Sequence, residues 1–423
     1  MFKWALLGAL LAVVLYFSTR TASELPVHTG GTVDARFQRV KEVFDENFKE
    51  GLESAGASFA VYVKGKKVID LWGGYSDKEA LRKWKEDTIS IVFSSSKGVG
   101  SLCISMLVDR GLLSYDDLVV KHWPEFGHQG KANVTVQMLV SHQAGLVCFD
   151  DEVSYDEAAN HKAMSKRIEE QKPNWPPGSK SMYHPINHGW LVDQLIRRVD
   201  SKKRGVGQFV REEFRQPHNI DIHLGLPTAE TGRVARLFKA SASEGLHELF
   251  SDSNAVKAFG AMCWQMMTKG NFILDAMKNV PWMDFFHRLL VNNPDVWKLE
   301  QSGALGIGNA RALATLYDLV VRKQVVSEKM LVQLQKPYAK LDVGVEVAKL
   351  QVGNGFMFLP YERANAKYLI GHAGFGCQQG SMDVHNEIAI GYTTTGIRPM
   401  NGHQCTAWMR LLSALYDVFE GKK

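Results

Sequence analysis

The chain has 423 residues and a net charge of +5, with 45% hydrophobic and 22% charged residues. That length suits one large domain or two ordinary ones around a sizeable core. The charge is too weak to argue for nucleic acid, Lys202-Lys203-Arg204 reads as a solvated face, and the chain carries no repeat or low-complexity tract.

In chain order, an apolar run at 4–17 follows a single lysine, and no acid appears before Glu24. As a helix it reaches about 21 Å, short of a ~30 Å hydrocarbon core and suited to a secretory signal. Residues 1–23 are therefore expected to be a signal peptide or, because Arg20 spoils the Thr21-Ala22-Ser23 cleavage site, an uncleaved signal anchor. This places the protein in the secretory pathway, secreted or membrane-anchored through 4–17. A mitochondrial leader is the alternative, disfavoured by the scarcity of Arg. Asn133-Val134-Thr135 is the only glycosylation sequon.

Residues 24–34 read as a linker. Phe37, Val40, Val43, Phe44 and Phe48 recur at helical spacing, which predicts an amphipathic helix over 35–53. The alternation over 57–74 predicts a β-hairpin turning at Gly65-Lys66. A helix is expected to begin near Ser95 and to be strongly apolar over 101–111. Residues 134–146 predict a short helix ending at Gly145, and a Pro/Gly loop precedes a helix from about Asn187. Residues 206–300 are irregular and lean towards helix. A helix over 310–321, three or more Gly-punctuated strands over 353–395 and a helix over 407–419 complete the chain. Strands at both ends with helices between predict an α+β fold. Its antiparallel sheet is built from both chain ends and flanked by helices, with a mostly helical subdomain at roughly 115–320 inside a 35–420 domain. A cleft between the lobes is where a site is expected.

Ser94 and Lys97 form the only S-x-x-K of the chain. A helix starting beside Ser94 puts Lys97 on the same face, within reach of the serine oxygen. The helix dipole favours a developing negative charge by only about 0.3–1 kcal/mol, so a proton acceptor is needed. Lys97 serves only if burial makes it neutral. The bland alternative is an N-cap serine with a first-turn lysine. Tyr183, in a loop before a helix, could act as a base if a nearby lysine lowered its pKa; otherwise it simply packs there. His372-Ala373-Gly374 follows a short apolar strand, where small residues would let a substrate lie on the backbone. The N–H groups of Ser94 and Phe375 would then make an oxyanion hole.

S-x-x-K, the loop tyrosine and H-x-G on a late strand, in that order, resemble the serine β-lactamase and penicillin-binding-protein superfamily. The similarity is to its class C-like branch, with family VIII carboxylesterases and eukaryotic β-lactamase-like proteins. "VFSSSKGV", "VTVQMLVSHQAGL", "WPPGSKSMYHPINHGWLV" and "GIGNARALATLYDLV" resemble further family segments over roughly 40–415. The resemblance implies that Ser94 is the acylated nucleophile, that Lys97 assists its deprotonation, and that Tyr183 is the shared base and proton donor. His372, Gly374 and Phe375 would bind substrate. No metal or organic cofactor is implied, and the partner is a small ester, amide or peptide. Pro185 stands where class C enzymes have Asn, with Asn187 two residues later, and His372 replaces the lysine of K-T-G. Both departures favour ester or peptide hydrolysis over β-lactam hydrolysis. A catalytically quiet scaffold and a true β-lactamase or D-amino-acid peptidase are the alternatives. Met262, Met266, Met267, Phe272, Trp282 and Phe285 would line an acyl pocket or, on the plainer reading, belong to the core. Cys103, Cys148, Cys263, Cys377 and Cys405 show no C-x-x-C, which argues against a zinc site; the odd count leaves at least one without a partner in the chain.

Overall fold

Alternating apolar residues at both chain ends meet in one antiparallel sheet. The computed structural model describes residues 25–239, 272–284, 287–343, 350–397 and 405–422. First come β1 (Thr29–Val33), α1 (Gln38–Lys49), β2 (Gly56–Val63) and β3 (Lys66–Asp77). The middle supplies β4 (Ser90–Phe93), α2 (Ser95–Asp109), α3 (Val136–Val140), α4 (Asn187–Val199), β5 (Ile222–Leu224), β6 (Gly306–Gly308) and α5 (Ala310–Val321). Then follow β7 (Ala339–Lys340), β8 (Gln351–Gly353), β9 (Phe356–Arg363), β10 (Ala366–Gly374), β11 (Gln378–Asp383), β12 (Ile388–Thr394) and α6 (Thr406–Phe419). The sheet runs β1-β3-β2-β12-β11-β10-β9-β8-β7, so β2 and β12 join the two chain ends, with Phe59 opposite Tyr392. This is the expected α+β arrangement.

The β2–β3 turn falls at Lys64-Gly65, one residue earlier than expected, where both φ are positive (49° and 79°). Two left-handed residues match the twist of the flanking strands. The first helix is shorter than predicted: Ala35–Phe37 forms a separate 3-10 turn, and Glu50 closes α1. α3 also stops early, at Val140 rather than Gly145, because His142 takes a left-handed φ of 62° that no helix tolerates.

Ile388, Ile390 and Tyr392 alternate onto one sheet face with Phe59, Ile69 and Leu71, beneath Phe44 and Phe48 of α1 and Trp408 and Leu411 of α6. Burying side chains of this size contributes about 1.5–3 kcal/mol each. The opposite face carries small residues, and there Ala310 and Ala314 of α5 pack on Ala60. A Cβ on Gly391 would lie 2.0 Å from the Ala310 carbonyl oxygen, so glycine is needed for that approach.

The sequence reading missed a second sheet of three strands, ordered β4-β6-β5. Strands this short carry too little periodicity to separate them from loops. The sheet matters because β4 delivers Ser94 to the start of α2. Cys377 and Cys405 form a disulfide, while Cys103 and Cys148 are buried thiols. Among the described residues no helix is long and apolar enough to cross a membrane. The segment at 4–17, Cys263, Met262, Met266, Met267 and Phe285 lie outside the described residues.

Candidate active site

Three consecutive serines follow β4, and the structure separates their roles. Phe93 turns out of the strand with a φ of 43°, an uncommon conformation for a residue with a Cβ. Ser94 holds the N-cap position of α2, as the bland alternative expects, but it sits in the right-handed region and its side chain makes no capping hydrogen bond. Ser95 Oγ donates to the His372 carbonyl at 3.0 Å, and Ser96 Oγ donates to the Phe93 carbonyl. Ser94, partly exposed, keeps its hydroxyl for Lys97 Nζ, 3.1 Å away.

Lys97 has no exposed surface. Its Nζ donates to the carbonyls of Pro185 at 2.6 Å and Gly303 at 2.5 Å. Burial holds its pKa well below the ordinary lysine value. A neutral amine has two N–H bonds and one lone pair. The two carbonyls take the N–H bonds, which leaves the lone pair for the Ser94 hydroxyl.

Gln301, which sequence reading did not single out, holds those carbonyls in place. It is buried, its Nε2 donates to the Ile186 carbonyl at 2.7 Å, and its Oε1 accepts from the Gly303 and Ala304 N–H groups. One amide thus bridges the Pro185 loop to the Gly303 loop. No local pattern marks it, because the partner that makes it a bridge, Ile186, lies more than a hundred residues away.

Tyr183 is pinned by its backbone N–H to the Asp342 carbonyl at 2.8 Å, beside Met182, whose N–H reaches the His142 carbonyl. Its ring centroid lies 4.7 Å from Lys97 Nζ, and its hydroxyl hydrogen-bonds to Ser94. The expectation of a lowered phenol pKa is corrected here: burial pushes the Tyr183 pKa up, and the Ser94 hydrogen bond offsets this only in part. A neutral lysine provides no positive charge to stabilise a phenolate.

His372 is completely buried, its Nδ1 bonded to the Ala373 carbonyl at 2.7 Å and its ring 6.0 Å from that of Tyr183. Burial takes its pKa down to about 3, so it is neutral. With no accessible surface, its contact is with the tyrosine side of the site. His142, His184 and His188 are also buried nearby with lowered pKa values, each mainly through burial. Among the described residues no carboxylate bonds to Lys97 and no His/Cys/Asp/Glu cluster is suited to a metal.

Gly374 ends β10 against the nucleophile turn. A Cβ there would lie 2.5 Å from the Val92 carbonyl oxygen and 3.1 Å from the Ser95 nitrogen. Phe375 follows, its ring edge-on to Phe93 with centroids 5.5 Å apart. Asn187 is buried and donates to the Leu146 carbonyl at 3.1 Å, a loop-holding contact. Of the acyl-pocket candidates, Phe272 is partly open to solvent and stands 5.5 Å from Trp175, whose ring also carries Lys180 Nζ at 4.2 Å. Trp282 packs on the core and donates to the Val153 carbonyl.

Comparison with known proteins bears on the fold and the family. Esterase/beta-lactamase LipL of Mycobacterium tuberculosis is 37% identical over 209 residues, 49% of this chain and 48% of LipL. The matched stretch spans about half the length or less of the curated relatives. A penicillin-binding-protein homolog from Caulobacter crescentus superposes with a TM-score of 0.78 at 28% identity, covering 92% of this chain and 100% of that one. A family VIII carboxylesterase gives 0.75 at 26% identity, with 92% and 100% covered. The Beta-lactamase family profile matches residues 44–414. That span takes in the sheet strands from β2 to β12 together with the helical middle, and the chain belongs to the Beta-lactamase family.

Proposed function

We propose that this protein is a serine hydrolase that forms an acyl-enzyme on Ser94 with small carboxylic esters or amides. The observation that carries the reading is the buried Lys97 amine, 3.1 Å from Ser94 Oγ with both N–H bonds taken by carbonyls. Ser94 gives its proton to the Lys97 lone pair as its oxygen bonds to the substrate carbonyl carbon. The N–H groups of Ser94 and Phe375 receive the oxyanion. As the carbonyl re-forms, Tyr183 protonates the departing alkoxide or amine and regains a proton from Lys97. Water then attacks the acyl carbon and returns the system by the same route in reverse. A phenol with a raised pKa stays protonated and suits the donor role. Names such as carboxylesterase and esterase among the similar proteins support esters as the first substrates to test.

A second reading, β-lactam turnover, draws on the double name of LipL. The neutral, buried His372 and the internal bond of Asn187 weigh against it. Residence in the secretory pathway is supported by the Cys377–Cys405 disulfide, a bond that persists in oxidising compartments.

The test is intact mass and peptide mapping after brief incubation with p-nitrophenyl esters, with nitrocefin in parallel. We expect an acyl adduct on Ser94 and, in Ser94→Ala, its loss with a drop in kcat of about 10³-fold or more. Equal background hydrolysis in both proteins and no adduct would favour the quiet scaffold. Nitrocefin turnover above the Ser94→Ala background would favour the second reading.

A further inference from the structure

β4 has two ends. Phe93, paired with Gly306, leads to Ser94; Ser90, paired with Gly308, lies at the other end. A four-residue strand spans about 13 Å. Beyond its Ser90 end is a cavity of about 820 Å³, bordered by the segment before β4, the Arg211–Arg215 turn and the start of α5. Nothing in the proposed reaction uses it.

Its walls carry Lys85, Arg211, Arg215, Arg233 and Arg311 against Glu86, Asp87 and Asp221. Two of these acids are already engaged. Arg233 binds Asp221 at 2.7 and 3.1 Å, and Arg311 reaches Glu86 at 3.2 Å and, through Nε, Asp70 at 2.7 Å. The side chains of Lys85, Arg211 and Arg215 have no hydrogen bond or ion pair among the described residues, and Arg215 Nε is buried without a partner. Burial, with the neighbouring Arg211 and Arg233, lowers the Arg215 pKa despite Asp221 and Glu230. Arg211 and Arg215 occupy a π-helical turn, a form that occurs frequently at functional sites. A guanidinium left half-buried without an acceptor is costly, and two arginines four residues apart match a phosphate group with bidentate bonds.

We infer that this cavity is a binding site for a small phosphorylated anion, held by Arg211 and Arg215 with Lys85 at the rim. The remaining uncharged polar wall residues, Gln216, Asn219, Asn309 and Thr315, would face the uncharged part of such a ligand.

The probe is inorganic pyrophosphate, titrated into the full chain by calorimetry at constant ionic strength. We expect saturable one-site binding that weakens about tenfold or more in an Arg211→Gln/Arg215→Gln double variant. Arg236→Gln, an exposed arginine outside the cavity, should bind as the wild type does. Absence of saturable binding, or equal weakening in Arg236→Gln, overturns the inference. Should the double variant misfold, Lys85→Gln at the exposed rim replaces it, with binding expected to weaken about threefold and unchanged binding counting against the site. Phosphatidic-acid vesicles form a parallel arm. Arginine-dependent sedimentation with vesicles, without pyrophosphate binding, would assign the arginines to a lipid surface and also overturn the proposal.

Discussion

Ser95 and Ser96 each donate to a backbone carbonyl, so Ser94 alone offers its hydroxyl to Lys97. The spacing Ser94-x-x-Lys97 was legible because a helical turn brings residues three apart together. The protonation states were not. They depend on the carbonyls of Pro185 and Gly303 and on burial, both set by distant segments. The reactive form has Lys97 neutral and Tyr183 protonated. Because the Lys97 pKa is lowered and the Tyr183 pKa raised, kcat/KM for an ester should rise with pH through the lowered lysine value. It should then stay flat past pH 10, the ordinary tyrosine value. A pH–rate profile checks this; a rate that climbs to the ordinary lysine pKa of 10.5, or falls near 10, would contradict the assignment. Lys97→Arg should reduce turnover by about 10³-fold, since guanidinium is never a base at these pH values.

At the scale of elements, β10 and α2 position the site together. Ser95 Oγ ties α2 to His372 of β10, and Gly374 lets the strand end pass beside the Ser95 nitrogen. Gly374→Ala puts a methyl 2.5 Å from the Val92 carbonyl oxygen, so the strand end or the Ser94 turn must shift. Displacements near 1 Å cost about 10²-fold in rate, so kcat should fall by roughly 10–100-fold while the circular dichroism spectrum is retained. Unchanged kcat would show that this contact does not set the geometry of Ser94. The hairpin, α1, α5 and α6 were readable from their periodicity. β4, β5 and β6 were not, because three or four residues hold barely one alternation.

Across the whole molecule, His142, His184, His188 and His372 are buried with pKa values held below 6.5, with His184 at about 4 and His372 at about 3. They stay neutral in the fold and take up protons once unfolded. Their contribution to stability is therefore intact above pH 6.5 and is lost as pH falls towards 4. The slope is up to about 1.4 kcal/mol per pH unit for each histidine. Urea melts between pH 7 and 5 should show the midpoint dropping steeply, and His372→Gln should flatten that drop by about one proton; a level midpoint over this window would refute the linkage.

From sequence alone came the α+β order of elements, the S-x-x-K pair, the loop tyrosine and the late H-x-G strand, since each is carried by local spacing or by segment order. Tertiary structure decided the rest. It made Lys97 a buried amine, raised the Tyr183 pKa, closed His372 away from solvent and placed Gln301 as the clamp across two loops. The physical reason is that burial and long-range hydrogen bonds depend on which distant segments meet, and no window of the sequence contains both partners.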